Sequence, residues 1–165
     1  MNEKQLKYIL EELHFTAELP PEVLNSLAEH SSLKQISAGE VVFREGMNNH
    51  NLFLVRNGRF VLEMNVPGRG GVQILTLGPG EMLGWSALIH QGKMTASAVA
   101  LENAELVVIP SEKLQAICET NHKFGYHLMR QMADALSKRL IATRLQLLDL
   151  FVDIPSAFPV KNAEG

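Results

Sequence analysis

The segment between residues 33 and 110 constrains the fold more than any other part of this sequence. It consists of short runs rich in valine, leucine, phenylalanine and isoleucine, which glycine or proline interrupts at regular intervals. Such a texture is typical of β-strands joined by tight turns. At least six strands are predicted, at residues 41–43, 52–55, 59–65, 73–77, 95–101 and 105–109. With no long helix between them they predict a jelly roll, a barrel or a sandwich, and the pattern does not choose among these.

One turn in this region carries a specific signal. Asn57-Gly58 separates the apolar residues 52–55 from the apolar residues 60–62. A two-residue turn of type I′ needs positive φ at both positions, and Asn-Gly tolerates it. We therefore predict a β-hairpin in which these two strands pair with each other.

Helical patterns flank the predicted strands. Leu6, Leu10 and Leu13 have helical spacing, and Pro20-Pro21 begins a second short helix. Ser111 is an acceptable N-cap for a helix that ends near residues 119–121, before a much longer helix. The predicted organisation is a helical cap over 1–32, a β-roll core over 33–110, C-terminal helices over 111–154 and a flexible tail over 155–165.

The long helix has two apolar stripes. A single domain can cover only one of them with its own core, so the other is most simply buried against a second copy of the chain. We therefore predict a homodimer. Its interface stripe consists of Met129, Met132, Leu136, Leu140, Thr143, Leu147 and Leu150. The alternative that both stripes pack within one subunit stays open.

Charge and length argue against nucleic-acid and membrane partners. A net charge of −3 over 165 residues gives no broad positive field. No apolar run approaches the ~20 residues of a membrane span, and no export signal is visible. About fifteen residues follow Leu150, too few for a DNA-binding helix-turn-helix. We expect a cytoplasmic protein that binds neither DNA nor a membrane.

No pattern in the sequence supports catalysis or metal binding. The six histidines (His14, His30, His50, His90, His122 and His127) are scattered over helical or loop stretches and include no His-x-His pair. Residues 84–88 lack the second glycine of a G-x-S-x-G nucleophile turn, and there is no glycine-rich phosphate loop. Cys118 lies in a helical stretch, where a thiol packs as a small apolar group. We predict no catalytic residue, no metal and no cofactor.

Several motifs in register resemble those of a known family. The sequences AGEVVFREG at 38–46, LFLV and NG within 52–58, and LGPGEMLG at 77–84 are similar to the cyclic-nucleotide-binding domain of the Crp/Fnr superfamily. The resemblance extends over residues 13–150. It implies a mainly β fold, an antiparallel double-stranded β-roll of the jelly-roll type with flanking helices, a ligand pocket inside the roll and a long C-terminal dimerisation helix.

The resemblance also implies a set of binding residues, with two departures from the family pattern. The family's F-G-E-x-A-L segment faces the cyclic phosphate and the ribose, and here Trp85 replaces its Glu. The family's phosphate-pairing Arg is replaced by Met94. Loss of a buried Arg-phosphate pair costs about 2–5 kcal/mol, so cAMP or cGMP should bind far more weakly. The candidate ligand-binding residues are Leu83, Gly84, Trp85, Ser86, Ala87, Met94, Thr95, Ala96, Ser97 and, on the long helix, Thr143.

These replacements predict a changed ligand. Trp85 beside Met94 would form an apolar, aromatic wall, with Ser86, Thr95 and Ser97 as hydroxyl donors. Such a wall suits a weakly charged planar or acyl ligand. The chain is therefore predicted to be a non-enzymatic, dimeric sensor of an unidentified small molecule that reports to a protein partner.

Two other functions remain open. In the first, Trp85 and Met94 fill the pocket, and the chain is a dimeric interaction scaffold. In the second, cyclic-nucleotide binding persists weakly because Lys93 or Arg69 supplies a substitute cation.

Overall fold

The computed structural model describes residues 3–89 and 92–152, with side chains described through residue 145. These residues form two compact units, divided between Met132 and Ala133. The helices are α1 Glu3–Glu12, α2 Pro21–His30, α3 Ser86–Ile89, α4 Ser111–Thr120 and α5 His122–Val152. The strands are β1 Ser32–Ile36, β2 Val41–Phe43, β3 Asn51–Asn57, β4 Phe60–Val66, β5 Gly70–Leu77, β6 Met82–Leu83, β7 Ser97–Ala100 and β8 Ala104–Pro110. The predicted flexible tail at 155–165 lies outside the described residues.

The strands of the first unit form two four-stranded antiparallel sheets, ordered β1-β8-β3-β6 and β2-β7-β4-β5. This confirms the predicted jelly-roll fold with flanking helices and a long C-terminal helix. The sequence pattern missed two strands. β1 buries only Ile36 well, and β6 has only two residues, so neither presents a readable alternation.

The predicted hairpin at Asn57-Gly58 is wrong. β3 pairs with β6 and β8 in one sheet, whereas β4 pairs with β5 and β7 in the other. Gly58 does have the predicted positive φ, +84°, and its N–H donates to Asn57 Oδ1 at 2.8 Å, but Asn57 is the last residue of β3. β3 carries four consecutive buried residues, so it is an interior strand that needs neighbours on both edges. The turn therefore carries the chain from one sheet to the other.

The sheet β1-β8-β3-β6 separates two apolar clusters. Leu52 and Leu54 of β3 join a helix-side core with residues of α1, α2, α4 and the start of α5. Phe53 and Val55 join a roll-side core between the two sheets. Successive side chains of a strand point to opposite faces, so one strand serves both cores.

The N-cap of helix α4 differs from the sequence prediction. α4 begins at Ser111, and Pro110 occupies the N-cap position without a side-chain cap. Ser111 is therefore not the N-cap; it is buried, and its N–H donates to the His50 carbonyl at 2.8 Å. At the start of α5, Asn121 Oδ1 accepts a hydrogen bond from the Phe124 N–H at 3.0 Å. This contact satisfies one of the free donors of the first helical turn.

None of the helices described between residues 3 and 152 combines the length and apolarity that a membrane span requires.

Candidate ligand-binding site

Gly84 holds the first candidate segment against the start of β3. It has φ +75°, and a Cβ at this position would lie 2.8 Å from the Asn51 carbonyl oxygen and 3.1 Å from Phe53 Cδ2. Only glycine can bring the backbone this close. Leu83, before it, belongs to the roll-side core, and the buried Ser86 and Ala87 lie in α3, after it.

A short backbone ribbon holds the second candidate segment. Gly46 N–H donates to the Met94 carbonyl at 2.8 Å, and Met94 N–H donates to the Met47 carbonyl at 3.0 Å. Asn49 N–H donates to the Gly92 carbonyl at 2.8 Å. Met94 is 3% exposed. Its backbone is thus fixed on both sides and its side chain is enclosed.

Asn49 connects the two segments. Its Nδ2 donates to the Asn51 carbonyl at 2.7 Å and lies 3.9 Å from Met94 Sδ. A Cβ on Gly84 would lie 3.2 Å from the same nitrogen. The sequence prediction missed Asn49 because an asparagine ahead of a strand has the pattern of an ordinary loop residue. Its role depends on residues that are distant in the chain.

The residues after Met94 differ in exposure and bonding. Thr95 is exposed, whereas Ala96 and Ser97 are half-buried. Ser97 Oγ accepts a hydrogen bond from the Glu45 N–H at 2.9 Å, and Glu45 Oε2 accepts one from the Asn65 N–H at 2.7 Å. The Ser97 hydroxyl therefore helps to connect β7 to the loop after β2.

Trp85 lies against the helical layer. It is half-buried and packs, like Leu88, against the helix-side core. Met94 Sδ lies 3.9 Å from Asn49 Nδ2, and a wall shared by Trp85 and Met94 stays a prediction. A large ring gains most where apolar surface is continuous, which the helical layer provides.

The predicted dimer stripe is divided between the two units. In the first unit, Met132 is 2% exposed and packs in the helix-side core of its own chain, whereas Met129 is exposed. In the second unit, Leu136 is half-buried and Leu140 is exposed. Thr143 is exposed and its Oγ1 donates to the Arg139 carbonyl at 2.9 Å. The side chains of Leu147 and Leu150 lie outside the described ones.

The described histidines, carboxylates and cysteine do not assemble into a metal site: no group of three or more of them could hold an ion. His127 is half-buried, with Nε2 3.1 Å from the Phe15 carbonyl oxygen; His30 is also half-buried, while His14, His50 and His122 are exposed. His90 lies outside the described residues. Burial, with a smaller contribution from Glu119, raises the pKa of the Cys118 thiol. A thiol kept protonated in this way is a poor nucleophile.

The fold and these motifs agree with comparisons to known proteins. The Cyclic nucleotide-binding domain family matches residues 33–121, more than half of the chain. The chain therefore belongs to this family, as the resemblance implied.

Three relatives illustrate the range of proteins that share the domain. The Cyclic AMP receptor protein of Thermus thermophilus is 28% identical over 144 residues, which cover 87% of this chain and 62% of that protein. Human cGMP-dependent protein kinase 2 is 24% identical over 181 residues, covering 98% of this chain and 24% of the kinase. A solved protein from Geobacter metallireducens is 28% identical with a TM-score of 0.70, covering 85% of this chain and 98% of that one. This chain thus spans less than two thirds of the length of the first two, one of which is an enzyme.

Proposed function

We propose that this chain is a non-enzymatic sensory domain whose site has lost affinity for cyclic nucleotides and binds a different small ligand. The observation that carries the proposal is the placement of Met94. The resemblance aligns Met94 with the family's phosphate-pairing Arg; its side chain is enclosed, and its sulfur lies beside the Asn49 amide. A thioether has no charge and no hydrogen-bond donor. A cyclic phosphate would therefore gain no cation from this residue.

Lys93 and Arg69, the two residues that could substitute for the family's Arg, would support only weak binding of a cyclic nucleotide. Lys93 and Arg69 are both exposed. Lys93 belongs to the backbone bridge with Asn48, and Arg69 lies in the turn between β4 and β5. Water and salt screen an exposed cation, so it stabilises a bound anion less than a buried guanidinium does. This supports loss of affinity for cAMP and cGMP.

The placement of Trp85 favours a sensor over a closed scaffold. In the scaffold alternative, Trp85 and Met94 together fill the pocket. The indole instead packs against the helix-side core, on the other face of the sheet from roll-side residues such as Phe53 and Leu83. The interior of the roll is therefore lined by other side chains. The cytoplasmic location and a downstream protein partner belong to the same proposal.

The proposal is tested by calorimetric titration of cAMP and cGMP into the wild-type protein and into a variant that carries both Trp85→Glu and Met94→Arg. We expect the wild type to bind both nucleotides weakly. Trp85→Glu and Met94→Arg together should raise the affinity by about 30-fold or more, because a buried Arg-phosphate pair contributes at least about 2 kcal/mol. Met94→Gln serves as a polar control without charge. Tight binding of either nucleotide by the wild type would contradict the proposal.

The replacement ligand is sought by thermal shift with a panel of weakly charged planar and acyl acids. A ligand present at 100 times its Kd stabilises the fold by about 2.7 kcal/mol. A shift with one of these compounds supports the sensor. No shift with any compound in the panel would favour the closed scaffold.

We also propose that the second unit pairs two copies of the chain. Leu140, Ile141 and Leu145 are 53%, 54% and 58% exposed on helix α5. Ile141 and Leu145 are four residues apart and share a face of the helix, next to Leu140. Apolar side chains in such a pattern are typical of a helix that pairs with another helix.

A charge placed on this surface should dissociate the pair. We expect the wild type to sediment at twice 18.3 kDa and Leu140→Glu to sediment at 18.3 kDa. Each buried leucine contributes about 1.5 kcal/mol or more, so losing one from each copy should raise the dissociation constant by about 100-fold. Lys123→Glu, an exposed position in the first turn of the same helix and away from this surface, is the control. A monomeric wild type would exclude this pairing.

A further inference from the structure

The inner face of strand β4 stays apolar beyond the point where the roll encloses it. Phe60, Leu62 and Met64 share this face, because alternate residues of a strand point the same way. The register shift after Leu62 arises from an extra residue on β5, so β4 itself alternates regularly. Phe60 is fully buried in the roll-side core, Leu62 is half-buried against it, and Met64 is 41% exposed. The apolar face of the core thus continues into solvent.

Strand β5 shows the same change in burial along its inner face. Leu75 is half-buried against the roll-side core, whereas Val72 is 39% exposed and pairs with Met64. Residues paired directly across a ladder share a face of the sheet. On the outer face, the exposed residues Asn65 and Thr76 are polar. Exposure therefore does not explain the apolar inner side chains, which form an apolar strip of Leu62, Met64, Val72 and Leu75.

The apolar strip adjoins the second candidate segment. Ala98, which follows the candidate residue Ser97, pairs with Leu62 of the strip. Strand β7 begins at Ser97, and beyond this end the Asn65 N–H of β4 donates to Glu45 Oε2 at 2.7 Å. This contact satisfies a backbone donor past the last residue pair of β4 and β7. The exposed part of the strip is thus held in place next to the candidate site.

We propose that the apolar strip is the subsite for the aliphatic chain of an acyl ligand, whose polar end lies at the candidate segments 83–87 and 94–97. The inference rests on the proposed function, because it names the chemical class of the ligand of that site. Burial of aliphatic carbon is favourable and requires no charge on the protein, and the four side chains carry none. A second copy of the chain is a poorer occupant. A stable protein interface takes about 20–30 residues from each partner, and the strip has four.

The test is calorimetric titration of hexanoate, octanoate and decanoate into the wild-type protein. Each methylene buried on the strip should raise the affinity about fourfold, so each step of two methylenes should raise it about 15-fold. The three acids have the same charged end. The increase of affinity with chain length therefore measures the apolar contact alone.

Two variants show where this contact is made. Val72→Glu places a charge on the strip, and Thr76→Glu, the matched control, places the same charge on the outer face of the same strand. The two variants have the same net charge, so they repel a carboxylate at long range alike. We expect Val72→Glu to weaken octanoate binding at least about tenfold and Thr76→Glu to change it by less than about twofold. Met64→Gln replaces Val72→Glu if a thermal melt shows that the latter is unfolded.

The outcomes separate this inference from the proposed function. An affinity that does not change with chain length, or equal effects of the two variants, overturns the subsite and leaves the proposed function standing. Absence of binding by all three acids also overturns the subsite, and the planar compounds of the thermal-shift panel are then the candidates for the sensor. If Val72→Glu dissociates a dimer in sedimentation without weakening octanoate binding, the strip belongs to the interface with a second copy and the subsite fails. Tight cAMP binding by the wild type instead defeats the proposed function.

Discussion

Gly58→Ala is expected to lower the free energy of unfolding by about 3 kcal/mol or more. A Cβ at this position would lie 2.5 Å from Ala104 Cβ and 2.8 Å from Ala104 Cα, so it would strike the first residue of β8. Gly58 also has φ +84°, where an L-residue costs about 1–2 kcal/mol on conformation alone. The turn joins the two sheets, so relief of the clash requires one sheet to shift against the other.

Gly39→Ala separates these two contributions. Gly39 has φ +81°, but no atom lies within 4 Å of a Cβ built on it. The free energy of unfolding of this variant should therefore fall only by the cost of placing an L-residue at positive φ. Urea unfolding of both variants should show Gly58→Ala less stable by at least about 1 kcal/mol. Equal losses would mean that Ala104 moves away at little cost, and that the corner between the sheets is not tightly packed.

Phe124→Ala is expected to destabilise the first unit by about 3–5 kcal/mol, the range for a buried aromatic side chain. Phe124 is 1% exposed and packs in the helix-side core. It lies in the first turn of α5, where its N–H is bonded to Asn121 Oδ1. Truncation would leave a cavity between the start of this helix and the rest of the helix-side core.

Tyr126→Ala is the matched control on the same helix. Tyr126 is 70% exposed, so its truncation should change the free energy of unfolding by less than about 0.5 kcal/mol. Chemical denaturation followed by circular dichroism measures both variants. If Tyr126→Ala lowered the free energy of unfolding as much as Phe124→Ala does, burial of the side chain would not determine stability at the start of α5.

The candidate site was predictable in part from the sequence. The motifs at residues 83–88 and 94–97 identified two segments by their resemblance to the family, and both prove to lie against the loop that precedes β3. The contact that joins them was not predictable. Asn49 acquires its role from Asn51, Gly84 and Met94, and two of these are 35 or more residues away in the chain.

The side of the sheet that Trp85 faces was likewise decided by packing. Resemblance gives the position of a residue in a motif but not the direction of a side chain that differs in size and polarity from the family's. An indole gains free energy from contact with apolar surface. It accordingly packs against the helical layer.

The sequence by itself determined the positions of most strands, the glycine turns, the helical stripes and the family. Each of these depends on residues within a few positions of one another, where backbone preference and side-chain period act directly. Only the tertiary structure decided that Asn57-Gly58 joins two sheets instead of pairing its own strands, and that Met132 packs within its own chain. The physical reason is that strand pairing and burial depend on the free energy of contacts between distant segments. β3 gains more from β8, some fifty residues away, than from its sequence neighbour β4.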